Sequence, residues 1–162
     1  MRWERVLALE LSSSLAGFAV LEGPERLIEW GTRGTSRDVS RFLQKLSRVT
    51  DRYRPDVLVV EDAAGSKKGE RSREHLVWSE QWAADHELRW RSVSKRELDA
   101  WQAHLGESKQ QRAETLTRLF PELAPLLPPP RKTWEKESKR LSVFVALTRG
   151  LYHYDLPEER GT

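Results

Sequence analysis

The chain has 162 residues, 38% hydrophobic and 33% charged, enough for one core beneath a heavily ionic surface. It has no cysteine and a formal net charge of +3, which excludes structural disulfides and thiolate metal centres and leaves nucleic acid admissible as a partner. No apolar run approaches the ~20 residues that span a bilayer, and "MRWERVLALE" places charge where a signal peptide is apolar, so a soluble, cytoplasmic protein without membrane contact is expected.

Val6 to Leu11 reads as a strand. Its apolar run Val6–Leu9 suits a strand buried on both faces, and Glu10 stands where it leaves the core. Gly17 to Leu21 is a second strand, Gly23 and Pro24 turn the chain, and Arg26 to Thr32 is a third. Short strands joined by short loops make an antiparallel meander. Val39, Phe42, Leu43, Leu46, Val49 and Tyr53 then fall on one helical stripe, with Ser36 as the expected cap and Pro55 as the stop. Val57 to Val60 is a fourth strand, again apolar and again ended by acids, Glu61 and Asp62. A helix leading into a buried strand implies a parallel crossover.

The basic loop "AAGSKKGERSR" leads to a helix with Leu76, Val77, Trp82 and Ala83, and "ELRWRSVS" is a fifth strand. Ser94 with Glu97 and Ser108 with Gln111 are capping-box patterns for two further helices. The first carries Leu98, Trp101 and Leu105 and ends at Gly106; the second carries Ala113, Leu116, Leu119 and Phe120. "PELAPLLPPPRK" reads as a loop because of its prolines. A last helix is expected from about Thr133 to Tyr152, with its stripe on Leu141, Phe144, Val145, Thr148, Leu151 and Tyr152. The whole is a single α/β domain over residues 1–162, a mixed sheet with helices on its faces, and residues 154–162 form a frayed tail. The seven tryptophans are expected mostly as packing residues.

The two strand-ending carboxylates carry the chemical question. If the first and fourth strands are parallel neighbours, Glu10 and Glu61 emerge side by side. Carboxylates held close repel, so one takes a proton or a cation sits between them. Hard divalent cations such as Mg²⁺ prefer such oxygen ligands, and no histidine or cysteine cluster invites a softer metal. The plain alternative is that strands end in glutamate because strand ends meet water. Glu137 poses the same choice. It lies four residues before Leu141 and continues the apolar stripe of the expected helix. There it either seeks a partner or a metal, or sits beyond the sheet edge in water.

In this order the pieces resemble the RNase H-like superfamily and, within it, the RuvC-type Holliday junction resolvases. "VLALELSSSLAGFAVLE" is similar to the family's first hairpin with its terminal carboxylate, and "RPDVLVVEDAAG" to its fourth strand with the second. "GESKQQRAETLTRLFPEL" resembles the segment where a glycine-bearing turn and a lysine precede a helix, and "ESKRLSVFVALTRGLYHY" the closing helix. The resemblance implies a sheet of three antiparallel strands followed by parallel ones, with helices on both faces. It also implies a homodimeric, metal-dependent endonuclease that cuts branched DNA in recombination, with a metal-activated water hydrolysing a phosphodiester and Mg²⁺ or Mn²⁺ as cofactor. Glu10, Glu61 and Glu137 become the catalytic acids, and Asp62 joins them as a metal ligand. The chain departs from the pattern at Glu10, where the family has the shorter aspartate. It departs again on the last helix, where the family acid falls near Ser142 or Val145. A second reading follows from those departures, an RNase H-fold protein that binds nucleic acid without cutting it. An actin-like nucleotide-binding domain shares the opening element order, but "SSSLAG" is a poor phosphate loop and the chain is short for two such lobes.

Phosphate contacts need cations near the acids. Lys67, Lys68, Arg71 and Arg73 follow the strand that bears Glu61, and Lys95 and Lys109 continue the basic theme. Ser12 and Ser13, in the turn after Glu10, are placed to donate hydrogen bonds to a phosphate, or simply to tighten the turn. Trp78 and Trp82, four apart on one helix, are the expected dimer contact.

Overall fold

Alternation along the strands sorts the core into two layers, one on each face of the sheet. The computed structural model describes residues 2–12, 15–35, 37–63 and 68–156. The expected cap Ser36, the loop residues Ser13 and Lys67, and the tail from residue 157 lie outside them. Strands β1 (Arg5–Leu11), β2 (Leu15–Glu22) and β3 (Leu27–Gly34) form the antiparallel meander. Helix α1 (Val39–Tyr53) crosses to β4 (Val57–Glu61), which pairs with β1 in parallel, and α2 (Glu70–Asp85) crosses to β5 (Arg89–Val93), parallel to β4. The strand order is β3-β2-β1-β4-β5, so the first strand made is the middle of the sheet.

Leu7, Leu9, Leu58 and Val60 face α1 and α2, where they pack on Phe42, Leu46, Leu76 and Trp82. Val6, Ala8, Val57 and Val59 face the other way, onto α3 (Lys95–Gln102), α4 (Lys109–Leu119) and α5 (Leu141–Asp155), through Leu98, Leu116, Phe144 and Leu147. Helix α5 lies over β1 and β2. A Cβ on Gly150 would stand 2.6 Å from Leu21 Cδ1, and one on Gly17 would stand 2.5 Å from the Ser142 backbone carbon. These two glycines let helix and sheet approach this closely.

Local chemistry explains most element ends. Asp38 caps α1, accepting from Ser40 N at 2.9 Å, and the helix stops one residue before Pro55 would allow, with Arg54 left-handed at φ 47°. The capping box at Ser94 and Glu97 forms in full. At α4 half of it forms: Ser108 accepts from Gln111 N at 3.1 Å, while the Gln111 side chain accepts from Glu107 N instead.

Three expectations need correction. The residues Pro121–Leu126 are not loop but a 3-10 helix. Proline is tolerated in a first turn, and fully buried Leu123 ties the segment to the core. Tyr154 and Asp155, expected to open the frayed tail, instead end the last helix, where the Tyr154 hydroxyl accepts from Gly23 N at 2.9 Å. The last helix begins at Leu141, not near Thr133. Thr133 to Arg140 offers a single apolar side chain, Trp134, so a helix there would have no face to bury, and helices in proteins depend on that burial. Glu137 therefore precedes the helix and does not extend its stripe.

Candidate active site

Register and parity bring the two strand-ending glutamates together. Val6 pairs with Val57, Leu7 with Leu58 and Ala8 with Val59. The same offset carries Glu10 to Glu61, and both share parity with the α5-facing residues Ala8 and Val59. Across the hairpin Glu10 pairs with Gly17. That glycine's bare backbone is where the start of α5 touches the sheet, so the first turn of α5 sits beside Glu10.

A cation bridges the pair. The Lys68 ammonium donates to Glu10 Oε1 and to the Leu11 carbonyl, and lies 3.4 Å from Glu61 Oε2. Glu61 is only 6% exposed, and a polar group so buried needs a partner. A second cation enters from α5. Arg149 is 2% exposed. Its Nη1 donates to the Leu9 carbonyl at 2.6 Å and lies 3.5 Å from Glu10 Oε1. Its Nε is buried with no hydrogen-bond partner. Burial pushes the Glu10 carboxyl up, but the Arg149 and Lys68 charges, the Lys68 hydrogen bond and more distant Lys109 together pull it below its ordinary value. Glu10 is ionised at neutral pH.

Glu10 opens into a cleft of about 560 Å³. Ser12, Lys68, Arg71, Lys109, Glu137, Lys139, Ser142 and Val145 help to line it. Of the expected site residues, the structure thus gathers Glu10, Ser12, Lys68, Arg71, Lys109 and Glu137 at one place, with Glu61 behind them through Lys68. Glu137 is on the far wall, ion-paired with Lys109 at 2.9 Å. Asp62 continues the sheet, donating from its backbone to the Val93 carbonyl at 2.9 Å, one position along from Glu61. Lys95 is paired with Asp99 at 2.6 Å, and the described lining of the cleft includes neither it nor Arg73. Sequence reasoning missed Arg149. The available signal was a lone charge inside an apolar helix, one turn from Val145 and two turns from Ser142, hence on the face that meets the site.

The donor set fits one hard cation between Glu10 and Glu61. The Lys68 ammonium already sits among two carboxylates and a backbone carbonyl, all hard oxygen donors. It does not extend to a pair of ions. Among the described residues no three His, Cys, Asp or Glu side chains group closely enough to hold a metal, and the α5 positions facing the cleft are Ser142 and Val145. Among them, too, no helix is long and apolar enough to cross a membrane.

A five-stranded mixed sheet of this order, three antiparallel strands followed by parallel ones with helices on both faces, is the RNase H-like fold. The chain is similar to the structure of Thermus thermophilus RuvC, solved alone and with a Holliday junction substrate. The complex gives a TM-score of 0.64 at 17% identity over 94% of this chain and 96% of that one. The free protein gives 0.63 at 18% over 92% and 95%. The fowlpox virus Holliday junction resolvase gives 0.52 at 10% over 93% and 97%. At such identities the likeness is one of fold. No protein-family model and no curated protein sequence matches the chain.

Proposed function

We propose that the protein is a RuvC-like endonuclease acting on branched DNA. The observation that carries this reading is the oxygen-lined cation seat between Glu10 and Glu61, set in a cleft with Lys68, Lys109, Arg71 and Lys139 around it. Support comes from the fold, since the similar solved structures include a RuvC bound to a Holliday junction and a poxvirus junction resolvase. The cleft wall also includes Gly69, Arg71 and Ser72 at the start of α2, a helix end whose N–H groups and dipole favour phosphate.

In this reading Glu10, Glu61 and the Leu11 carbonyl hold Mg²⁺ or Mn²⁺. When bound, the ion supplies Lewis-acid polarisation of the phosphate and an acidified water. Lys68 has a flexible four-carbon stem and leaves the seat for the phosphate of the strand. Arg149, fixed by the Leu9 carbonyl, keeps Glu10 ionised. Lys109 holds Glu137 across the cleft, where it is the third acid within reach of the strand. Lys68, Arg71, Lys109 and Ser12 contact the backbone of the DNA; Ser13, Lys67, Arg73 and Lys95 are further contacts along its path. The protein acts as a homodimer, as a four-way junction with paired cuts requires. Exposed Val77 and the half-buried Trp78 beside it on α2 are the dimer contact, and Trp82, buried in the core, is not.

The test is cleavage of four-way junctions by the purified protein with Mg²⁺ and with Mn²⁺. Glu10→Gln and Glu61→Gln are expected to slow cutting by roughly a hundredfold or more, since displacements of about 1 Å already cost that much, while junction binding persists. The second reading, a protein that binds junctions without cutting, is favoured by Ser142 and Val145 standing in the cleft where the resemblance expects an acid. Tight binding with no cutting by the wild type under either metal decides for it.

A further inference from the structure

The cleft continues into a second groove of about 640 Å³, with Lys109, Glu137 and Ser138 lining both. Its outer wall is the irregular segment before α5. Between Arg131 and Arg140 this segment carries five cations and two carboxylates, and Lys109 already neutralises Glu137. Pro128, Pro129 and Pro130 have fixed φ and stiffen its approach. At its tip a turn closes where Glu135 N donates to the Lys132 carbonyl at 3.0 Å. Trp134 sits in that turn and is 77% exposed, more than any other large apolar side chain described. The Lys132 ammonium lies 5.4 Å from its ring centroid.

An indole held in water among cations is poorly matched to an apolar protein surface, which would have to strip water from Arg131, Lys132 and Lys136. A partner that carries both anionic charge and flat rings suits both features. A paired duplex hides its rings in the stack; a strand with an unpaired base presents one. We infer that Trp134 is a stacking platform for an unpaired base, with Arg131, Lys132 and Lys136 on the phosphates beside it. The inference rests on the nucleic-acid reading above and adds to it a preference for strands that expose a base within one groove's length of Glu10.

The test uses the full-length protein and fluorescence anisotropy with two DNAs of equal length, a fully paired duplex and a duplex with a bulged 2-aminopurine. Stacking on an aromatic side chain contributes ~1–3 kcal/mol per base, so Trp134→Ala should weaken binding to the bulged DNA roughly 5- to 150-fold. It should alter duplex binding by less than about twofold. Trp134→Phe should keep most of the affinity, and the wild type should quench the 2-aminopurine where Trp134→Ala does not. Because Trp134 is exposed, an unchanged melting temperature confirms that the variants fold. Equal losses on both DNAs, or no loss on the bulged one, would overturn the inference and leave the nucleic-acid reading standing. A changed sedimentation mass with DNA affinity intact overturns it too, since the indole then covers a second protein. A wild type that binds neither these DNAs nor a four-way junction defeats the nucleic-acid reading itself, and the inference falls with it.

Discussion

At the scale of single residues, the informative group is Lys68. Its ammonium competes with any other cation for the oxygens of Glu10, Leu11 and Glu61. A hydrogen bond to a charged group contributes ~1.5–3 kcal/mol. Lys68→Met should therefore tighten Mn²⁺ binding by about tenfold or more, read by titration calorimetry without reference to activity. Unchanged Mn²⁺ affinity in the variant would mean that the two cations do not share the seat. The same substitution has a pH signature. The Glu10 carboxyl is held below its ordinary value when folded. The stability this gives is complete above the unfolded value near 4.5 and is lost as pH falls through the folded one. Without Lys68 the opposing effect of burial gains weight, so acid unfolding of Lys68→Met should begin at higher pH than in the wild type, as melting temperatures across the acid range would record.

At the scale of elements, the site depends on how α5 meets the hairpin. Gly17→Ala would push a Cβ to 2.5 Å from the Ser142 backbone carbon and 2.6 Å from its carbonyl oxygen, and the backbone cannot turn aside as the Ser142 hydroxyl can. Overpacking of this kind costs ~1–3 kcal/mol, visible as a lower denaturant midpoint. Glu10 should lose part of its Arg149 contact with it. Much of this arrangement was legible beforehand. A helix leading into a buried strand implies a parallel crossover, and a period of two gives Glu10 and Glu61 a common face once β1 and β4 are neighbours, which the strand order shows they are. Glu137 was misread because periodicity was carried through charged residues that have nothing to bury. Arg149 was missed for a different reason: its lone charge in an apolar helix was a signal, but what it pairs with depends on how α5 packs across β1, which composition does not encode. Trp82 was assigned outward because a pair of tryptophans four apart defines a face but not which side of the helix the sheet takes.

At the scale of the whole molecule, α2 presents Val77 outward in a surface that is otherwise heavily charged. In a twofold dimer a contact residue meets the same patch on the partner, and like charges set face to face cost several kcal/mol. In the homodimer proposed above, Val77→Glu should thus weaken self-association at least tenfold in sedimentation while the melting temperature of the chain holds. A variant that still dimerises at wild-type affinity would remove α2 from the interface. The architecture also has a temporal side. The centre of the sheet comes from the first strand, but the helix that covers its Val6–Ala8 face comes from the last element described, pinned there by Tyr154 to the Leu21 carbonyl and Gly23 N. At a synthesis rate of ~5–20 residues per second, that face waits on the order of ten seconds for its cover. During that interval an apolar face of the sheet stays open to whatever the nascent chain meets, until translation delivers the final helix.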